Sequence, residues 1–177
     1  MNTNQLANLF RAYSVKRYHT LPTILSQTVG DHTARVLVLV HYLSLEPPNS
    51  NLVLAVLEHD GYEHLTGDIP ATAKWMGNFA DVVEKLEQKI DTAGNMNFNA
   101  YNLLTEEEKL LLKIADMTEL CCWASMEAVM GNRGMEVIFQ NGIKYLDNLQ
   151  DKMPKGMWER IAALLGPKPQ ATPAPAH

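Results

Sequence analysis

Apolar positions along this chain recur at helical intervals, and no stretch alternates with the period of two that a half-buried strand would show. Leu6, Leu9, Phe10 and Tyr13 mark a first helix that Thr3 can cap. Arg17–Thr28 has no sustained periodicity and reads as a long loop. Thr28-Val-Gly-Asp31 then has the form of a capping box with Asp in place of Glu, and Val36, Leu37, Val40 and Leu43 follow on one helix face. This second helix begins near Val29 and fades before Pro47-Pro48.

Leu52 to Leu57 are all apolar, which predicts a central helix buried on most sides, yet it ends in Glu58-His59-Asp60. Gly67-Asp-Ile-Pro70 breaks the pattern, with Pro70 suited to the first turn of a helix reaching about Ile90 and stopping before Gly94. Asp91–Asn102 reads as a connector. Thr105-Glu-Glu-Glu108 is a capping box, and Leu110, Leu111, Ile114, Met117, Leu120 and Cys121 give the helix behind it a broad apolar surface. Two weaker helices follow at about Met135–Lys152 and Met157–Leu165. The pattern predicts one all-α domain of six or seven helices over residues 1–165. Residues 166–177 hold four prolines and almost no bulky side chains, so a disordered tail is expected there, with His177 no ligand candidate.

Composition narrows the functional classes. A chain of 177 residues can bury a core as a single domain. Its formal charge of −5, with no long basic run, argues against wrapping nucleic acid and means that a polyanionic substrate needs a local cationic site. Cys121 and Cys122 are neighbours that cannot easily pair, and read as reduced core thiols. No run of about 20 apolar residues and no signal-peptide pattern occurs, so no membrane association and a soluble, cytoplasmic protein are expected.

The chemistry concentrates at His59-Asp60. Alone, this dipeptide reads first as a helix-end pair that is solvated or caps its own backbone, and it decides nothing. Glu63, four residues on, would share a helix face with His59. His32 opens another amphipathic helix, and Asp116 interrupts the apolar surface of a third, where a buried carboxylate is costly unless paired or bound to a cation. Two histidines and two aspartates on three packed helices would resolve that cost together. Such a mixed N/O set suits Mn²⁺, Fe²⁺, Co²⁺, Ni²⁺ or Zn²⁺ better than Ca²⁺.

The order His32, His59-Asp60, Asp116 resembles the H…HD…D signature of the HD-domain phosphohydrolases. Val15-Lys-Arg-Tyr-His-Thr20, Gln27-Thr-Val-Gly-Asp-His-Thr33, His59-Asp-Gly-Tyr-Glu63, Thr66-Gly-Asp-Ile-Pro70 and Lys113-Ile-Ala-Asp116 are similar to the branch of bacterial 5′-deoxynucleotidases and phage dATP triphosphohydrolases. Tyr18 stands where that branch often has Trp, and Gly30, Asp31 and Thr33 where it usually has a small residue, Glu and Ser.

The resemblance implies an HD-domain helical bundle that hydrolyses 2′-deoxynucleotides and uses a divalent transition metal held by His32, His59, Asp60 and Asp116, with Mg²⁺ as a further ion to consider. It implies Glu63 as general acid/base or water-positioning group, the rival role being a partner to a ligand histidine. Arg17 and Lys74 would hold phosphate, the former bidentately. Asp68 would accept the sugar 3′-hydroxyl, the rival role being a helix N-cap. Tyr18 and Thr20 would wall the sugar and base, the rival role of Tyr18 being ordinary packing. The short chain and the Val-Lys-Arg-aromatic-His block favour a dATP triphosphohydrolase over a 5′-deoxynucleotidase acting on monophosphates. A silent nucleotide-sensing module is the remote alternative, since Glu63, Arg17 and Lys74 are all present. Met117, Met126, Met130 and Met135 with Trp123 read as helix packing, part of which could serve the homo-oligomeric assembly the family shows.

Overall fold

The computed structural model describes residues 1–70, 79–94 and 98–166. Residues 71–78, through which a helix from Pro70 was expected to run, with the candidate Lys74, and the tail from 167 onward lie outside the described residues.

Three capping boxes set the phase of three helices. In α1 (Thr3–Tyr13) the cap is Asn2, not Thr3: its side chain accepts the Gln5 N–H at 2.9 Å while Gln5 Oε1 takes the Asn2 N–H at 2.6 Å. The helix thus gains the reciprocal pair that a Gln at the third position supplies. Helix α2 (Val29–Leu43) starts as its sequence predicts, with Thr28 Oγ1 accepting the Asp31 N–H at 3.1 Å and Asp31 returning to the Thr28 N–H at 3.0 Å. Asn49 caps α3 (Ser50–Glu58), and α4 is the single turn Glu63–Thr66. Helix α5 covers Phe79–Gly94, running past the expected stop near Ile90, so the connector is shorter and includes a 3₁₀ turn at Ala100–Leu103. The box of Thr105 and Glu108 opens α6 (Glu106–Val129), 24 residues long. Helix α7 (Gly134–Asp147) ends five residues before the expected Lys152, and Gln150–Lys152 finishes as a 3₁₀ turn ahead of α8 (Met157–Leu165). The described residues are thus all-α, with seven helices of nine residues or more.

Helix α6 is the axis of the bundle, packing against α7, α2, α8 and α3. Val36, Val40, Leu43, Val56, Ile114, Cys121, Leu146 and Ile161 fill the space between them with no or almost no exposure. Gly142 lets α7 approach closely, since a Cβ there would lie 2.5 Å from Cys121 Sγ. Burial pushes the Cys121 thiol up to about 12 and Cys122 up to about 11, so both stay protonated and serve as packing. None of the described helices is long and apolar enough to cross a membrane.

The stretch before α2 is irregular but tied down. Lys16 and Thr28 form an antiparallel bridge; the Arg17 N–H donates to Gln27 O and the Val29 N–H to Val15 O, both at 2.9 Å. That pairing carries Arg17 to the open end of α2, beside His32.

Candidate metal centre

His32 lies in the first turn of α2 and has no exposed surface. His59 is the residue at which α3 ends, and Asp60 opens the turn after it. Each imidazole is oriented by its Nδ1–H, His32 donating to Glu119 Oε2 at 2.8 Å and His59 to the Val56 carbonyl at 2.6 Å. This assigns the tautomers and turns both Nε2 atoms inward, 3.2 Å apart. Asp60 Oδ2 stands 3.6 Å from His32 Nε2 and 3.4 Å from His59 Nε2. From α6, Asp116 Oδ1 reaches 3.3 Å from His32 Nε2.

These atoms repel one another unless positive charge lies between them. Atoms sharing a transition metal at ordinary N and O bond lengths stand about 3.0 to 3.4 Å apart in octahedral or tetrahedral arrangement, close to the separations here. His32, His59 and Asp60 form a cluster able to hold a metal ion, and Asp116 extends it from the facing helix. The protonation balance registers the same demand. Burial and Arg17 oppose a proton on His32, but Asp116 and Glu119 prevail and raise its pKa. Burial also pushes Asp116 up, yet His32, Lys113 and His59 hold it well below the usual carboxylate range.

Around this centre the described cations divide in two. Arg17 is 10 % exposed, its Nε 3.8 Å from Asp68 and its Nη1 4.0 Å from Glu119, too far for hydrogen bonds. Both N–H groups are buried without an acceptor among the described residues, although Tyr18, Asp60, Glu119 and Asp116 outweigh burial and hold the guanidinium charged. Lys113 lies 3.5 Å from Asp116 at the edge of a cavity of about 620 Å³ whose wall includes His59, Asp60, Tyr101, Lys109 and Asp116.

The structure brings His32, His59, Asp60, Asp116 and Arg17 together and modifies other expectations. Asp116 is partly open, with 29 % of its side chain exposed; the carboxylates truly buried on α6 are Glu119, at 1 %, and Glu127 further along. His59 and Glu63 do not share a helix face, because α3 ends at Glu58 and the chain turns through Gly61 before α4 begins at Glu63. Phe98 keeps position 61 of that turn a glycine, since its ring would lie 2.6 Å from a Cβ there. Glu63 is buried. Asp68 accepts the Tyr18 N–H at 2.9 Å, and Tyr18 stands at φ 56°, in the left-handed region; the helix that Asp68 was expected to cap lies outside the described residues. The Tyr18 ring is stacked on Trp123, centroids 6.0 Å apart and planes 2° from parallel, so that face is spoken for. Thr20 is exposed in the turn after it.

Glu119, Lys113 and Gln27 escaped the sequence reading as site residues. The signal for Glu119 was present: a second carboxylate three residues after Asp116, inside the same apolar surface.

No protein-family model matches the chain, and no curated protein is similar to it in sequence. Among solved structures it is similar to the HD phosphohydrolase DatZ of cyanophage S-2L, in a form bound to dA and one catalytic Zn²⁺ ion. The TM-score is 0.67 at 16 % identity, over 93 % of this chain and 92 % of that one. With the helical core and the order of its elements already described, the chain has the fold of the HD phosphohydrolases.

Proposed function

We propose that the protein is a divalent-metal-dependent phosphohydrolase of 2′-deoxynucleotides, its metal held by His32, His59, Asp60 and Asp116. The observation that carries this reading is the convergence of two Nε2 atoms and two carboxylates with both Nδ1 atoms already engaged. Zn²⁺, Co²⁺, Mn²⁺, Fe²⁺ and Ni²⁺ all suit that donor set. Bound there, the ion supplies Lewis acidity toward a phosphoryl oxygen and toward the attacking water.

The chain's own groups do the rest. Arg17 offers its two undonated N–H groups to phosphate oxygens as negative charge shifts in the transition state. Glu63 serves as general acid/base, a role that rests on its place in the His59-Asp-Gly-Tyr-Glu63 block. Asp68, fixed by the Tyr18 amide, takes the sugar 3′-hydroxyl with its remaining acceptor capacity, and Lys74 adds cationic charge to the phosphate side. With its ring on Trp123, Tyr18 shapes the pocket from the edge rather than offering that face to a base.

Within this class, dATP hydrolysis to deoxyadenosine and triphosphate is the preferred reaction. The cavity of about 620 Å³ carries the cations Lys109 and Lys113 on its wall, which suits a polyphosphate, and the similar fold of DatZ carries dA. Hydrolysis of a deoxynucleoside monophosphate is the second reading, favoured by the acidic residues Glu58, Glu84 and Glu87 on the same cavity wall. Self-association belongs to the proposal through Met126, Val129 and Met130, exposed at the end of α6.

Metal-loaded protein incubated with dATP, dAMP, ATP and dGTP, with products resolved, tests this. Triphosphate from dATP alone supports the first reading; phosphate from dAMP supports the second; no turnover with any of the five metals overturns both. Asp116→Ala should lower activity by at least ~100-fold, above the ~10–100-fold typical of partners behind a ligand, and retained metal with full activity would refute the ligand set.

A further inference from the structure

The two oxygens of Glu119 are used differently. Oε2 accepts from His32 Nδ1–H at 2.8 Å, and Oε1 accepts from Gln27 Nε2–H at 2.7 Å. Gln27 in turn holds Arg17, its backbone carbonyl accepting the Arg17 backbone amide N–H at 2.9 Å. Three hydrogen bonds therefore run in series from the imidazole on the metal side to the residue on the phosphate side. Both intermediates are buried, with 1 % exposure each.

We propose that Glu119 and Gln27 are a positioning pair that sets Arg17 against His32, so that guanidinium and metal engage the same phosphate. The proposal rests on the phosphohydrolase reading above and adds residues that touch neither metal nor substrate. A carboxylate and a primary amide are retained this deep only with partners that repay their desolvation. Only the NH₂ end of Gln27 can face a carboxylate, so the orientation of that amide is dictated by Glu119. Its Oε1 accepts no hydrogen bond among the described residues, so the Glu119 contact is what locks the side chain. Displacement of about 1 Å at a group that must meet a reacting phosphate costs on the order of 100-fold in rate, which is the reason for a rigid spacer. Glu119 stands on α6 and Gln27 just ahead of the Thr28 cap of α2, and the packing of those two helices is part of the core.

Three variants separate the two halves of the pair. Glu119→Gln removes the charge behind His32. Gln27→Met keeps the length of the side chain but loses its donor, and Gln27→Ala is the companion that does not depend on how Met packs. Zinc affinity is read by competition with a chromophoric chelator, phosphate affinity by inhibition of the zinc-loaded enzyme with inorganic phosphate, and folding by thermal unfolding. Glu119→Gln should weaken zinc about 10- to 100-fold. Gln27→Met and Gln27→Ala should hold zinc within about twofold while weakening phosphate about 10-fold, the worth of one buried hydrogen bond. Parent-like phosphate binding in both Gln27 variants overturns the proposal, as does a loss of zinc in them equal to that in Glu119→Gln. A parent protein that binds neither zinc nor phosphate overturns the phosphohydrolase reading itself, whereas a binding parent with unchanged variants overturns the positioning pair alone.

Discussion

Two irregular segments flank the metal centre, and they are fastened in opposite ways. The backbone of residues 59–67 is held locally: Gly61 N–H donates to Glu58 O, Glu63 N–H to Asp60 O, Leu65 N–H to Tyr62 O and Gly67 N–H to Glu63 O, each within four residues. Residues 15–28 are held from far away. Asp68 takes the Tyr18 amide, Glu119 the Gln27 side chain, and Glu127 the amides of Ile24 and Leu25 at 2.8 and 2.7 Å, while Asn132 donates to Pro22 O at 2.8 Å. A coil with local ties keeps its shape as a turn does; one with distant ties keeps its shape only while the bundle is assembled. The loop bearing Arg17 is thus the part of the site that depends on global folding.

The strongest way to break this comparison is Glu127→Ala. It strands the Ile24 and Leu25 amides and one Asn132 donor, and should cost about 3 kcal/mol at about 1 kcal/mol or more per orphaned group, read by urea unfolding. A loss below about 1 kcal/mol would mean that the loop does not need its distant anchor. The local segment is probed by Gly61→Ala, where the new Cβ meets Phe98 at 2.6 Å and Glu58 O at 3.0 Å. About 2 kcal/mol of overpacking is expected, with weakened metal binding because His59 and Asp60 adjoin the turn. Thr28→Ala removes the cap that phases α2 and so the aim of His32; about 1 kcal/mol by thermal unfolding is expected.

The smallest effect is a pH dependence. Burial pushes Glu127 up, but Asn132 and the Ile24 and Leu25 amides outweigh it and hold its pKa below the ordinary 4.5. A carboxylate depressed in the folded state gives stability that is complete above the unfolded pKa and is lost as pH falls through the folded one. The stability gap between the parent and Glu127→Gln should therefore be widest above about pH 5 and narrow below about pH 4. A gap that stays constant across that window would remove Glu127 ionisation from the account of the loop.

The same contrast explains what could be read in advance. Capping boxes at Thr28 and Thr105 are local, and they placed α2 and α6 correctly. His32, His59, Asp60 and Asp116 were legible because polar groups at the ends or within apolar helices are conspicuous one at a time. Glu63 was misjudged in its geometry because the helix ends after Glu58, and the ring that requires glycine at position 61, Phe98, lies 37 residues beyond it and is not part of any local pattern. Tyr18 was expected to wall the sugar and base or else to pack, and nothing near it in sequence announces Trp123 as its neighbour. The order within residues 17–28 was illegible for the same reason, since its anchors lie on α6 and in the turn at Asn132.

Those anchors share one property of α6. Asp116, Glu119, Trp123 and Glu127 succeed one another by three, four and four residues, and they meet the metal centre, His32 with Gln27, Tyr18, and Ile24 with Leu25 in turn. The helix works as a ruler whose marks must stay in phase. Adding or deleting a single residue between Glu119 and Trp123 would rotate the later marks by about 100° and shift them about 1.5 Å. It would uncouple the loop from the metal while leaving every ligand in place, so α6 can tolerate substitution far better than any change of length.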